Sequence, residues 1–148
     1  GVGLGIAAAI GGSGLALYLA VRSAGGALNV VPTSLPDVWW RIPILIMSAC
    51  ANSALEEIVL VGYLLRRLDQ RGWSPNKALL ASALIRGLYH FYQGFAGLIG
   101  NVIMGAIFAR WYQRTGRLLP LLIAHAAIDI GAFVGYVLLA GRVSWLPI

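Results

Sequence analysis

The chain sets long apolar runs against short polar breaks, and the lengths of the runs decide what kind of element each can form. Five runs can be drawn, at 2–21, 39–65, 78–92, 95–110 and 118–140. A bilayer crossing takes roughly 20 apolar residues as helix, so these runs predict membrane spans, with the third and fourth short for a full crossing. No period-2 alternation supports a barrel, and an open sheet edge cannot be satisfied in hydrocarbon, so every span is expected to be helical. The two short runs meet at Tyr92-Gln93-Gly94, which predicts a tight helical hairpin. The stretch 22–38, with Pro32 and Pro36, is the only long non-helical connection predicted. The fold class expected is therefore all-α: a polytopic transmembrane bundle of about five helices, in one domain over 1–148. The chain starts at Gly1 inside an apolar stretch with no basic segment before it, so no signal peptide is read, and N-terminal spans of a longer protein are expected to precede it.

Composition agrees with that pattern. The chain is 59% hydrophobic and 11% charged with a mean hydropathy of +0.82, which excludes a soluble globular domain and makes lipid the relevant solvent. The net charge of +6 raises nucleic acid as a partner, but the basic residues lie at the ends of apolar runs with no aromatic-interleaved patch, so nucleic acid is not expected. They set topology instead. With the N-terminus inside, the inner loops hold Arg66, Arg67, Arg71, Lys77, Arg110, Arg114 and Arg117, against Arg22, Arg41 and Arg142 outside, which predicts a cytoplasmic N-terminus. Trp39, Trp40, Trp73, Trp111 and Trp145 fall near span ends, as interfacial anchors do. The lone cysteine, Cys50, is expected to be a packing residue, and Gly131 with Gly135 a close-packing pair in the last span.

Against this background the intramembrane polar residues stand out. Glu56 and Glu57 are adjacent in the middle of the second run. An ionisable side chain at a helix centre costs roughly 2.5–3.5 kcal/mol on insertion scales while a Leu or Ile returns about 0.3–0.6, so anchoring alone does not account for the pair. Asn52, Ser53, Ser82, Arg86, His90, Asn101, His125 and Asp129 complete the set. Measured from the nearest basic span end at 1.5 Å per residue, Glu56 lies about 15 Å deep, Arg86 and His90 about 14 and 20 Å, Asn101 about 14 Å, and His125 and Asp129 about 12 and 18 Å. Shared depth on four helices predicts one central polar chamber. His125 and Asp129, like Arg86 and His90, are four apart and share a face; Asn52 falls on the Glu56 side. Taken singly, either histidine can be a hydrogen-bonded structural residue, Asp129 a partner of Arg86, and Glu57 a buried ion-pair member. Jointly they supply a base, its partners and oxyanion donors for water-driven amide hydrolysis, or equally ligands for a metal-bound water.

These residues carry a resemblance. Glu56-Glu57 followed by Gly62-Tyr63-Leu64-Leu65, then His90 within Leu88-Tyr89-His90-Phe91-Tyr92-Gln93-Gly94, then His125 with Asp129, resemble over residues 52–131 the three motifs of the CAAX-protease and bacteriocin-processing (CPBP) intramembrane proteases, also called ABI or Rce1-like. The resemblance implies an all-α intramembrane endopeptidase in which Glu56 is the base, His90 its partner, and His125 and Asp129 the oxyanion or ligand pair. Glu57, Arg86, Asn52 and Asn101, which share the depth of the polar chamber, are expected to be supporting residues. It leaves open a glutamate-type or a metal-dependent enzyme, with a divalent ion such as zinc held by Glu56, His90 and His125 in the second case. A membrane-associated or lipidated peptide or protein is the implied substrate, membrane lipid the surrounding partner, and a bacterial cytoplasmic membrane the expected location.

Two positions depart from the family pattern. Its first motif reads Glu-Glu-x-x-x-Arg, and Val61 stands at the Arg position; its second reads Phe-x-x-x-His, and Arg86 stands at the Phe position. Without a cation at 61, Glu57 needs one from another helix, and Arg86 is predicted to reach it; the alternative is an Arg86–Asp129 pair. Two non-proteolytic functions compete with the endopeptidase. One is a non-catalytic membrane scaffold or immunity protein, against which the full set Glu56, His90, His125 and Asp129 counts. The other is a proton-coupled carrier, against which the lack of inverted repeats counts.

Overall fold

A computed structural model describes residues 1–23 and 35–143, apart from the Arg22 side chain. Most of the 22–38 connection and Trp145 lie outside the described residues. The protein is an all-α transmembrane bundle, with no strand among the described residues. Helix α1 is Val2–Ser23; α2, Arg41–Glu56, runs through a π-helical segment, Glu57–Tyr63, into α3, Leu64–Gln70; α4 is Pro75–Tyr89, followed by a 3₁₀ turn, Phe91–Gln93; α5 is Gly94–Thr115 and α6 is Leu119–Leu139.

Among the described residues, four stretches are long and apolar enough to cross a membrane: Val2–Val21, Arg41–Gln70, Phe91–Thr115 and Leu119–Leu139. The expected run at 78–92 is instead α4, whose 15 residues reach only about 22 Å. Ser74 caps α4 and Pro75 takes its first helical position, a pairing suited to a helix start because Pro lacks the amide that would go unbonded there. The α4–α5 hairpin is the predicted one. Gly94 turns it at φ 81°, in the left-handed region that only glycine enters without strain.

Burial is reversed relative to a soluble protein. Large apolar side chains such as Leu80, Leu84 and Leu88 of α4 and Ile99, Ile103 and Ile107 of α5 point outward, whereas Ser53, Glu57, Ser82, Arg86 and His125 are buried. An apolar core of Val61, Leu65, Leu79, Met104, Phe108 and Leu121 joins the π segment, α3, α4, α5 and the start of α6.

Close helix contact is made by small residues, though not where expected. A Cβ on Gly87 would fall 2.3 Å from Val102 Cγ2 and 2.9 Å from the Leu98 carbonyl oxygen, and one on Gly105 would fall 3.1 Å from Ala83 Cα. These glycines let α4 and α5 touch at backbone distance. Gly131 and Gly135 meet nothing within 4 Å, so the small pair in α6 packs no described helix. Cys50 is exposed and is not the packing residue its apolar surroundings suggested. Buried Leu45, Ala49 and Ser53 form the inward stripe of α2, and Cys50 lies one residue off it.

Candidate active site

The site forms where the α2 rod changes its winding. Glu56 is the last α-helical residue and Glu57 the first of the π segment. π-turns inside α-helices recur at functional sites because they redirect side chains. Here the widened turn is tied to α4, as the Ser82 hydroxyl donates to the Leu60 carbonyl at 2.9 Å. The two carboxylates then diverge into different surroundings: Glu57 is fully buried, and the Glu56 side chain keeps 20% of its surface open.

Glu57 is the centre of a sealed charged layer. Arg86 of α4 donates from Nη2 to Glu57 Oε1 at 2.6 Å, with both side chains at zero exposure. This is the pairing predicted across helices, and it replaces the cation that position 61 lacks; Val61 itself is buried in the apolar core. The Arg86–Asp129 alternative does not form. His125 of α6 joins the same carboxylate oxygen through Nδ1 at 2.8 Å, a contact the spacing did not predict. Phe108 closes the layer from α5, with its ring 5.5 Å from the Arg86 guanidinium carbon and edge-on to His125. Arg86 Nε and Nη1 and Glu57 Oε2 have no hydrogen-bond partner in the protein, so the aromatic face is the remaining electrostatic support for the guanidinium.

A second, more open layer lies beside it. His90 caps the C-terminus of α4 and gives its Nδ1 to the Arg86 carbonyl oxygen at 3.0 Å. A carbonyl only accepts, so Nδ1 carries the hydrogen and Nε2 is left to face Glu56 Oε1, 3.9 Å away. Tyr89, which sequence reasoning did not nominate, donates from its hydroxyl to the other Glu56 oxygen at 2.5 Å and packs its ring 4.5 Å from that of His90. His125 also turns Nε2 toward Asp129 on its own helix, 3.6 Å from Oδ1.

Glu56, His90, His125 and Asp129 are thus brought to one region. Asn52 and Asn101 are not. Asn52 is exposed on α2, and Asn101 donates to the Gly97 carbonyl of its own helix at 2.9 Å. The metal-ligand trio Glu56, His90 and His125 does not converge either: among the described residues no three His, Cys, Asp or Glu side chains stand together as an ion site. His125 commits Nδ1 to Glu57, and Glu56 commits one oxygen to Tyr89.

A transmembrane helical bundle with two carboxylates, two histidines and a third carboxylate gathered between its helices has the makings of an intramembrane hydrolase. A model of the type II CAAX prenyl endopeptidase Rce1-like family matches residues 38–131, and the chain belongs to that family. It is an integral membrane protein of the CAAX protease class, with a peptide or protein as the class substrate. No curated protein and no solved structure matches the chain.

Proposed function

We propose that this protein hydrolyses a peptide bond in a membrane-associated protein or peptide tail, with Glu56 and His90 activating the water. The observation that supports the reading is the Glu56–His90 gap: at 3.9 Å the two groups are too far apart to bond directly, yet one water oxygen can sit within hydrogen-bond reach of both. Glu56 Oε1 takes a proton from that water as its oxygen attacks the scissile carbonyl carbon. The C–O bond forms, the carbonyl becomes an oxyanion, and the proton is passed to the leaving nitrogen as the C–N bond breaks. His125, fixed at Nδ1 by Glu57, holds Nε2 on the Asp129 side, 3.6 Å from that carboxylate; with a hydrogen on both ring nitrogens, its Nε2–H is a donor for the oxyanion. Glu57 and Arg86 hold the imidazole in place without touching substrate.

The test is incubation of the purified protein in lipid with a library of membrane-associated peptides, lipidated and plain, read by mass spectrometry with and without a chelator. Chelator-resistant cleavage that disappears in Glu56→Gln is the expected result. Cleavage abolished by chelation and restored by zinc overturns the metal-free mechanism. Absence of cleavage from every peptide by a folded protein favours the scaffold or immunity role.

A further inference from the structure

At the opposite end of α4 and α5 from the candidate active site, a cavity of about 600 Å3 opens between Leu79 of α4 and Ala106, Ile107, Arg110, Trp111 and Arg114 of α5. Its walls are apolar toward the middle of the helices, where Ile107 faces outward, and cationic toward the helix end. Arg110 is held in place by neutral groups: it donates to Asn76 Oδ1 at 2.6 Å and to Gln113 Oε1 at 3.1 Å, and Gln113 is itself fixed by the Pro75 carbonyl at 2.8 Å. Those bonds orient the guanidinium without neutralising it, and they leave its other N–H groups for a ligand.

Arg114 follows four residues later, on the same face. Like charges at that spacing repel unless an anion lies between them. Neither arginine meets a carboxylate among the described residues. Between Arg66 and Arg117 the sequence offers one acid, Asp69, against seven basic residues besides the buried Arg86. Trp111, in the same wall, has its indole N–H buried with no acceptor.

We propose that this groove is a binding site for an anionic phospholipid. The phosphodiester lies between Arg110 and Arg114, and an acyl chain runs along Leu79, Ala106 and Ile107. Planar guanidinium groups suit phosphate oxygens, and a cation already oriented by its neighbours loses little freedom on binding. The apolar wall below requires an amphiphile, which inorganic phosphate is not.

Native mass spectrometry of the whole protein, released from micelles with equal phosphatidylglycerol and phosphatidylcholine, tests the site. At about 1 kcal/mol per arginine the wild type retains phosphatidylglycerol with a preference of roughly thirtyfold. The preference falls in Arg114→Gln, which leaves the Arg110 network intact, and vanishes in Arg110→Gln/Arg114→Gln. It persists in Arg71→Gln/Arg117→Gln, which removes the same charge outside the groove. Equal retention of the two lipids overturns the proposal. So does an equal loss in both double variants, which would reduce the effect to a diffuse field, and so does displacement of the lipid by inorganic phosphate or by an acidic peptide.

Discussion

Val61 leaves Glu57 without a cation on its own helix, and Arg86 supplies one from α4. The need for a partner was legible because an unpaired carboxylate in hydrocarbon is costly and Arg86 was the one cation at its depth. Removing one member of such a buried pair costs about 3–5 kcal/mol, whereas removing both together is close to neutral. Arg86→Met and Glu57→Gln should therefore each destabilise strongly, and the double variant should recover most of the loss in reversible unfolding in micelles; additive losses would show the pair to be uncoupled. Tyr89 was not legible. A tyrosine near the end of an apolar run reads as an interfacial anchor, and only the turn after α4 folds its hydroxyl onto Glu56. A hydrogen bond to a charged group is worth about 1.5–3 kcal/mol, so Tyr89→Phe should lower kcat roughly tenfold to a hundredfold with KM unchanged if the bond holds Glu56 for catalysis. A change confined to KM would make Tyr89 a substrate contact instead.

Among the elements, the runs at 2–21, 39–65, 95–110 and 118–140 predicted the spanning helices to within a few residues at most ends, because apolar length is the direct requirement of the bilayer. What a uniform 100° per residue could not give was the π segment. It begins at the second carboxylate, and its anchor is Ser82 on another helix. Asn52 does lie one regular α-helical turn before Glu56, but it is exposed on α2, so a shared face did not bring it into the site. The glycines show a related limit: spacing identifies a pair that can pack, but only tertiary contact shows which one does. Gly87→Ala would force Val102 and the Leu98 carbonyl aside and should cost about 1–3 kcal/mol. Gly131→Ala meets open space and should be neutral or stabilise by up to about 1 kcal/mol. Thermal unfolding of the two variants checks the contrast, and equal destabilisation would contradict the helix packing described.

At the scale of the whole molecule, costly side chains on separate helices meet at one level because charge is tolerated in hydrocarbon only where it finds charge. That logic made the chamber readable from depth. It did not separate the sealed layer, Glu57 with Arg86 and His125, from the open one, Glu56 with His90 and Tyr89, since depth carries no information on which neighbour each carboxylate faces. The end of α5 meets the start of α4, with Arg110 on Asn76, and the positive-inside rule predicts a cytoplasmic position for this basic end. In a Cys50→Ala background, an impermeant thiol reagent applied to intact cells should label Asp37→Cys and spare Thr115→Cys; the reverse pattern would invert the topology. If Glu56 is the base, as proposed, and Glu57 a structural anchor, the cleavage rate of Glu56→Gln measured beside its unfolding curve separates the two roles. The expected result is a loss of about a hundredfold or more in rate with wild-type stability. A Glu56→Gln protein that cleaves at the wild-type rate would contradict the proposal.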